Sequence, residues 1–126
     1  MIELYEKPDY IPLLNKVGVD YVTCCSRDTG LFEHFDADEI PTGYIEVLYA
    51  EALKMGAMRS FWKRQGRRDV DFPGARRFHA FIRNRGLESQ YYEMEAEYAE
   101  AEVKAWAKYY GLPINWNCIE IVGSDY

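Results

Sequence analysis

Histidine occurs only twice in this 126-residue sequence, at His34 and His79, and cysteine only three times, at Cys24, Cys25 and Cys118. That scarcity excludes most recognisable catalytic and metal-binding patterns. There is no G-x-S-x-G nucleophile elbow, no C-x-x-C or H-x-x-x-H pair, no G-x-G-x-x-G and no Walker loop. The nine glycines stand singly, where stop signals explain them. An odd number of cysteines, two of them adjacent, makes a poor disulfide framework, so free thiols in a reducing compartment are expected. No apolar run approaches the roughly 20 residues that cross a bilayer. The opening MIELYEKPDY has neither a basic n-region nor an apolar h-region. No membrane span and no secretory signal are therefore expected, and the expected compartment is the cytoplasm.

The chemistry that remains is thin. Cys24 or Cys25 with His34 is the one nucleophilic pairing that can be written, and nothing local fixes its geometry. Glu33, His34, Asp36 and Asp38 offer hard ligands in a short span, but without zinc-type spacing or the glycine and terminal glutamate of an EF-hand loop. They read as a solvated acidic loop. Asp9 and the Glu102-Val103-Lys104 triplet imitate pieces of a nuclease site, but the second lies in a helical pattern far away in sequence. The expectation is a protein that is not an enzyme, with no cofactor and no metal.

What is present is charge, unevenly spread, and aromatic bulk. Hydrophobic residues make up 48% and charged residues 29%, a globular composition. The length fits a single domain over 1–126, large enough to bury roughly 65% of its unfolded surface. Net charge is −6. Segment 59–85 holds nine of the fifteen basic residues against Asp69 and Asp71, a local charge of +7, and the rest of the chain carries −13. Eleven Tyr, six Phe and three Trp can build a small core or serve an interface.

Periodicity places the elements. Asp9 is positioned to cap a short helix running to Lys16, with Gly18 as its stop. Val19–Cys25 is β-branched and reads as a strand, and Ser26–Pro41 reads as an acidic loop. A first long helix is expected over 43–65, capped by Thr42, with Ile45, Leu48, Ala52, Met55 and Phe61 as its stripe, widened by Tyr49, Leu53 and Trp62. A second is expected over 75–85, with Phe78, Phe81 and Ile82 inward and Gly86 just past its end. A third is expected from Ser89 to Tyr110, with Tyr92, Ala96, Ala99, Val103, Trp106 and Tyr110 as its stripe. Ile114–Val122 alternates like a half-buried strand. The fold class is α+β: three helices packed on a small antiparallel sheet.

Two surfaces stand out. The acidic one comprises Glu33, Asp36, Asp38 and Glu39 with Glu93, Glu97 and Glu100. It suits a small interaction module, such as an inhibitor, an immunity-type protein or an accessory factor from a mobile element. Its partner would be a protein, for example one that binds nucleic acid with a basic face. The basic surface comprises Arg59, Lys63, Arg64, Arg67 and Arg68, interleaved with Phe61, Trp62 and Phe72. Arginine forks and aromatic faces are what single-stranded nucleic acid uses, so direct binding through 59–85 is the alternative. Two plainer readings compete with it: neutralisation of a helix C-terminus, and pairing of Arg77, Arg83 or Arg85 with Glu93 or Glu97. A homodimer through the aromatic helix faces is left open.

Overall fold

The computed structural model describes residues 2–3, 10–119 and 121–122. It has short strand β1 (Ile2–Glu3), the hairpin β2 (Tyr21–Ser26) and β3 (Phe32–Asp36), and strand β4 (Tyr44–Glu46). Helices α1 (Ala50–Arg64), α2 (Ala75–Asn84) and α3 (Glu88–Tyr110) follow, then β5 (Cys118–Ile119) and β6 (Ile121–Val122). The three main strands form an antiparallel sheet with β2 central, β4 on one side and β3 on the other; β6 extends it by pairing parallel with β3. β1 and β5 form a separate antiparallel pair. The fold is α+β, with three helices and a small, chiefly antiparallel sheet.

The segment read as an acidic loop over 26–41 contains β3, which is a correction. Phe32, opposite Cys25, is fully buried. In FEHFD each face mixes rings with an acid, Phe32 and His34 with Asp36 on one and Phe35 with Glu33 on the other, so no apolar–polar alternation marks the strand. The turn between β2 and β3 closes with the Ser26 N–H on Leu31 O (2.9 Å) and the Gly30 N–H on Ser26 O (3.0 Å). Gly30 adopts φ +74°, and a Cβ there would overlap the carbonyl of Pro113, so both turn and packing require glycine.

The long helix expected over 43–65 begins seven residues late, a second correction. Tyr44–Glu46 instead takes the free edge of β2, pairing Ile45 with Cys25. Thr42 caps nothing; Tyr49, in extended conformation, precedes the helix and offers no side-chain cap bond. The first-turn amide of Ala50 is satisfied by the carbonyl of Asn15 at 2.8 Å. Asn15, 3% exposed, also ties the junction laterally: its Nδ2 donates to Thr23 O (3.0 Å) and Val47 O (2.9 Å), and its Oδ1 accepts the Thr23 N–H (2.6 Å). Of the expected helix toward Lys16, only a 3₁₀ turn at Ile11–Leu13 forms; Asp9 lies outside the described residues.

All three helices end in the same way. At the end of α2 the Gly86 N–H bonds Arg83 O (3.2 Å) and the Leu87 N–H bonds Ile82 O (2.8 Å). That Schellman pair needs the left-handed conformation Gly86 supplies and seats Leu87 on the core. Gly66 and Gly111 close α1 and α3 with equivalent bonds.

Two hydrophobic clusters result. One joins the sheet to α3, with Cys25, Phe32, Val47, Leu53, Ala99, Val103 and Trp106. The other is helical and aromatic, with Met58, Phe61, Trp62, Phe78, Ile82, Tyr91 and Met94. Tyr98, beside Gly56, packs on both. The stripe of α3 therefore turns along its length. Its N-terminal half buries Tyr91 and Met94, not Tyr92, which is half-exposed, and Tyr110 is also exposed. On α1 the buried face is Leu53, Ala57, Met58, Phe61 and Trp62, while Ala52 faces solvent. Of the strand expected over 114–122 only Cys118–Ile119 and Ile121–Val122 form, because Ile114–Asn117 turns, with the Cys118 N–H on Asn115 O. Among the described residues no helix is long and apolar enough to cross a membrane.

Candidate functional site

The pleat decides which acidic residues meet. Along β3, His34 and Asp36 lie on one face and Glu33 and Phe35 on the other. Glu33 is half-buried and accepts the Tyr44 hydroxyl at 3.0 Å; that bond, with burial and the charges of Glu33 and Asp28, raises the Tyr44 pKa. Asp36 ends the strand in the open, with Asp38 and Glu39 exposed just beyond it. Here, where β3 ends and β2 begins, lies a cleft of about 630 Å³ lined by Asp20, Tyr21, His34, Phe35, Asp36 and Glu39. A second concavity of about 340 Å³ shares Tyr21 and His34 and runs to Val19, Lys16 and Lys54.

Tyr21 and His34, on the cleft side of the sheet, stand edge-on 4.9 Å apart at 69°; Phe35 and Tyr44 pair edge-on on the opposite face, 4.7 Å apart at 74°. Thr23 Oγ1 lies 3.1 Å from His34 Nδ1. Tyr21 is 50% exposed, and Val19, which lines the second concavity with it, is 38% exposed. No hydrogen bond or ion pair among the described residues engages the carboxylates of Asp20, Asp36 or Glu39.

The other sequence-derived acidic residues lie elsewhere. Glu93 and Glu97 are exposed on α3, and Glu100 is half-buried there, accepting Lys104 Nζ at 2.8 Å. None of the three lines the cleft. The structure thus brings Asp36 and Glu39 together with Asp20, Tyr21 and Phe35, which the sequence reading left out. Sequence alternation carries no signal for them, since β3 has a ring and an acid on each face.

The basic segment is occupied with itself. Arg59 Nη1 pairs with Asp69 Oδ1 at 3.2 Å and its guanidinium sits 4.8 Å over Phe72. Arg68 pairs with Asp71 at 2.9 Å. Arg67 lies 5.1 Å over Trp62 and 4.8 Å over Phe81, and Arg85 lies 4.6 Å over the same Phe81. Phe61 and Trp62 are buried, and Trp62 Nε1 donates to Arg68 O at 2.9 Å. Of the rings expected to stack on bases, Phe61 and Trp62 are core residues and Phe72 packs against that core, with the chain's own arginines over Trp62 and Phe72. Lys63 and Arg64 remain exposed in the last turn of α1, where they offset its dipole.

The Cys–His pairing does not form, since Thr23, not a cysteine, stands opposite His34. Both strand cysteines are fully buried. Burial, then Glu46, pushes the Cys24 thiol up to about 11, and burial, then Cys24, pushes Cys25 up to about 12. Among the described residues no group of three or more His, Cys, Asp or Glu is placed to hold a metal ion. Comparison with protein-family models, curated proteins and solved structures finds no match to this chain.

Proposed function

We propose that this chain is a non-enzymatic protein-interaction module that works through the face around Tyr21. The observation that carries the reading is the cleft itself: Asp20, Asp36 and Glu39 line it together with Tyr21 and His34, whose rings share a face of the sheet with Asp36. Exposed Val19, which lines the neighbouring concavity with Tyr21, adds apolar area. An aromatic and apolar centre within a charged rim is how protein interfaces are composed. A negative rim favours a basic partner and speeds encounter with it. Small inhibitors, immunity-type proteins and mobile-element accessory factors act through surfaces of this kind, and the partner's basic face could be one that otherwise holds nucleic acid. Direct nucleic-acid binding through 59–85 is the weaker reading, because Arg59, Arg67 and Arg68 are engaged by Asp69, Asp71, Trp62, Phe72 and Phe81.

The class of partner is tested by capture on the tagged full chain from host lysate, with and without nuclease, followed by mass spectrometry. A near-stoichiometric protein that survives nuclease is the expected result. Recovery of nucleic acid alone, or of proteins lost on nuclease treatment, overturns it.

A further inference from the structure

We infer that the cleft beside Tyr21 receives a basic side chain, preferably arginine, carried on an exposed segment of the partner protein; this rests on the interaction reading above. Where the chain places carboxylates beside aromatic rings in its basic segment, it fills the arrangement with its own arginine. Arg59 bridges the face of Phe72 (4.8 Å) and the carboxylate of Asp69 (3.2 Å). The cleft presents the same two kinds of group, rings from Tyr21 and His34 and carboxylates from Asp20, Asp36 and Glu39. Among the described residues that line it there is no lysine or arginine. Lys16 and Lys54 line the second concavity, which shares Tyr21 and His34 with the cleft.

Chemistry and size then define the occupant. A planar cation can lie on a ring and present N–H donors to carboxylates in the same plane, which guanidinium does with a rigid fork and ammonium with a point charge. A cleft of about 630 Å³ is far larger than a metal ion needs and is within the range of pockets that take an organic group. It has room for one long side chain and part of the backbone that carries it. The half-exposed ring of Tyr21, continuous with Val19, gives the flanking residues apolar area to cover. Three carboxylates in one concavity favour a cation over a neutral or acidic side chain, so the selectivity is electrostatic and falls with salt.

The test uses the purified full chain and three blocked nine-residue Gly/Ser peptides carrying a central arginine, lysine or citrulline, followed by ¹H–¹⁵N chemical shifts. Citrulline keeps the shape of arginine and removes the charge. The expected result is saturable shifts at Tyr21, Phe35 and Asp36 with arginine, smaller ones with lysine and none with citrulline. Affinity should fall about tenfold in Asp36→Asn/Glu39→Gln and in Tyr21→Ala, whose spectra otherwise stay folded. Equal binding of the arginine and citrulline peptides, shifts confined to other surfaces, or no shifts at millimolar peptide would overturn the inference. Its failure is separable from that of the parent reading. If a captured protein is released by Asp36→Lys/Glu39→Lys but is not competed by excess arginine peptide, the interaction face stands and the basic-side-chain pocket falls.

Discussion

The side chain of Asn15 pairs with the backbone of Thr23 as a neighbouring strand would: Oδ1 accepts the Thr23 N–H at 2.6 Å and Nδ2 donates to Thr23 O at 3.0 Å. β4 pairs with β2 at Cys24–Ser26 and the Val47 N–H still reaches Thr23 O at 3.0 Å, where the Asn15 amide completes the pairing of Thr23. The same amide bonds Val47 O, and the Asn15 backbone pairs with Leu48 and Ala50. One buried residue thereby fixes how the sheet hands over to α1, and how β2 lies against the segment that carries Val17 and Val19. Thr23 in turn meets His34 through Oγ1, so the anchor reaches the cleft.

Replacing Asn15 with Ala leaves the Thr23 amide without this partner and should cost about 3 kcal/mol, read as a lower urea midpoint with unchanged slope. Asn15→Asp is nearly isosteric, yet it sets a carboxylate against two carbonyl oxygens. Its folded pKa should rise above the unfolded value. Stability should therefore be best retained below the unfolded aspartate pKa of about 4 and be lost as pH rises through the folded one. Equal stability of Asn15→Asp and the parent at pH 7 would contradict the hydrogen-bond assignment.

Gly30→Ala places a Cβ on a positive-φ residue and into the Pro113 carbonyl. The expected loss is about 2–4 kcal/mol, measured by thermal or urea unfolding. Gly18→Ala, also at positive φ but in open space, should cost less, on the order of 1 kcal/mol.

Thiol labelling separates the cysteines. Cys24 and Cys25 should resist alkylation in the folded protein, whereas half-buried Cys118 reacts first. Both strand thiols are raised by burial, to about 11 and about 12, while an unfolded thiol ionises near pH 8.5. Their contribution to stability is thus intact below about pH 8.5 and is lost as pH rises toward the folded values. Buried Tyr91, raised by burial and by its bond to Glu95, acts in the same direction. Unfolding experiments should show a decline on the alkaline side that Cys24→Ser/Cys25→Ser reduces.

The arginines of the basic segment should divide by what they touch. Arg67→Ala removes a guanidinium from Trp62 and Phe81 and should cost about 1 kcal/mol or more. Arg64→Ala, exposed at a helix end, should stay within about 0.5 kcal/mol. Equal effects in urea melts would mean that the ring contacts carry no weight.

Much of this fold is legible without coordinates. Gly66, Gly86 and Gly111 mark the three helix ends because a Schellman turn needs their positive φ, and that requirement is local. Val22–Cys25 declares itself as a strand because it is apolar and buried on both faces. Residues that depend on distant partners are harder to read. Tyr44–Glu46 has a helical pattern in sequence and becomes a strand because the edge of β2 is there to pair with. Tyr91 displaces Tyr92 from the core because α2 packs against only the first half of α3. Asp36 and Glu39 are visible as acidic residues, but their companions Asp20 and Tyr21 arrive through the β2–β3 register, which a loop assignment for 26–41 hides.

The most direct test sets the two surfaces against each other. Tagged full chain, an Asp36→Lys/Glu39→Lys variant and an Arg64→Glu/Arg67→Glu/Arg68→Glu variant are used to capture partners from the same nuclease-treated lysate, with circular dichroism confirming that each is folded. The account predicts that the parent and the arginine variant retain the same protein partner and that the cleft variant loses it. Retention by the cleft variant with loss in the arginine variant would contradict the account and move the working surface to 59–85.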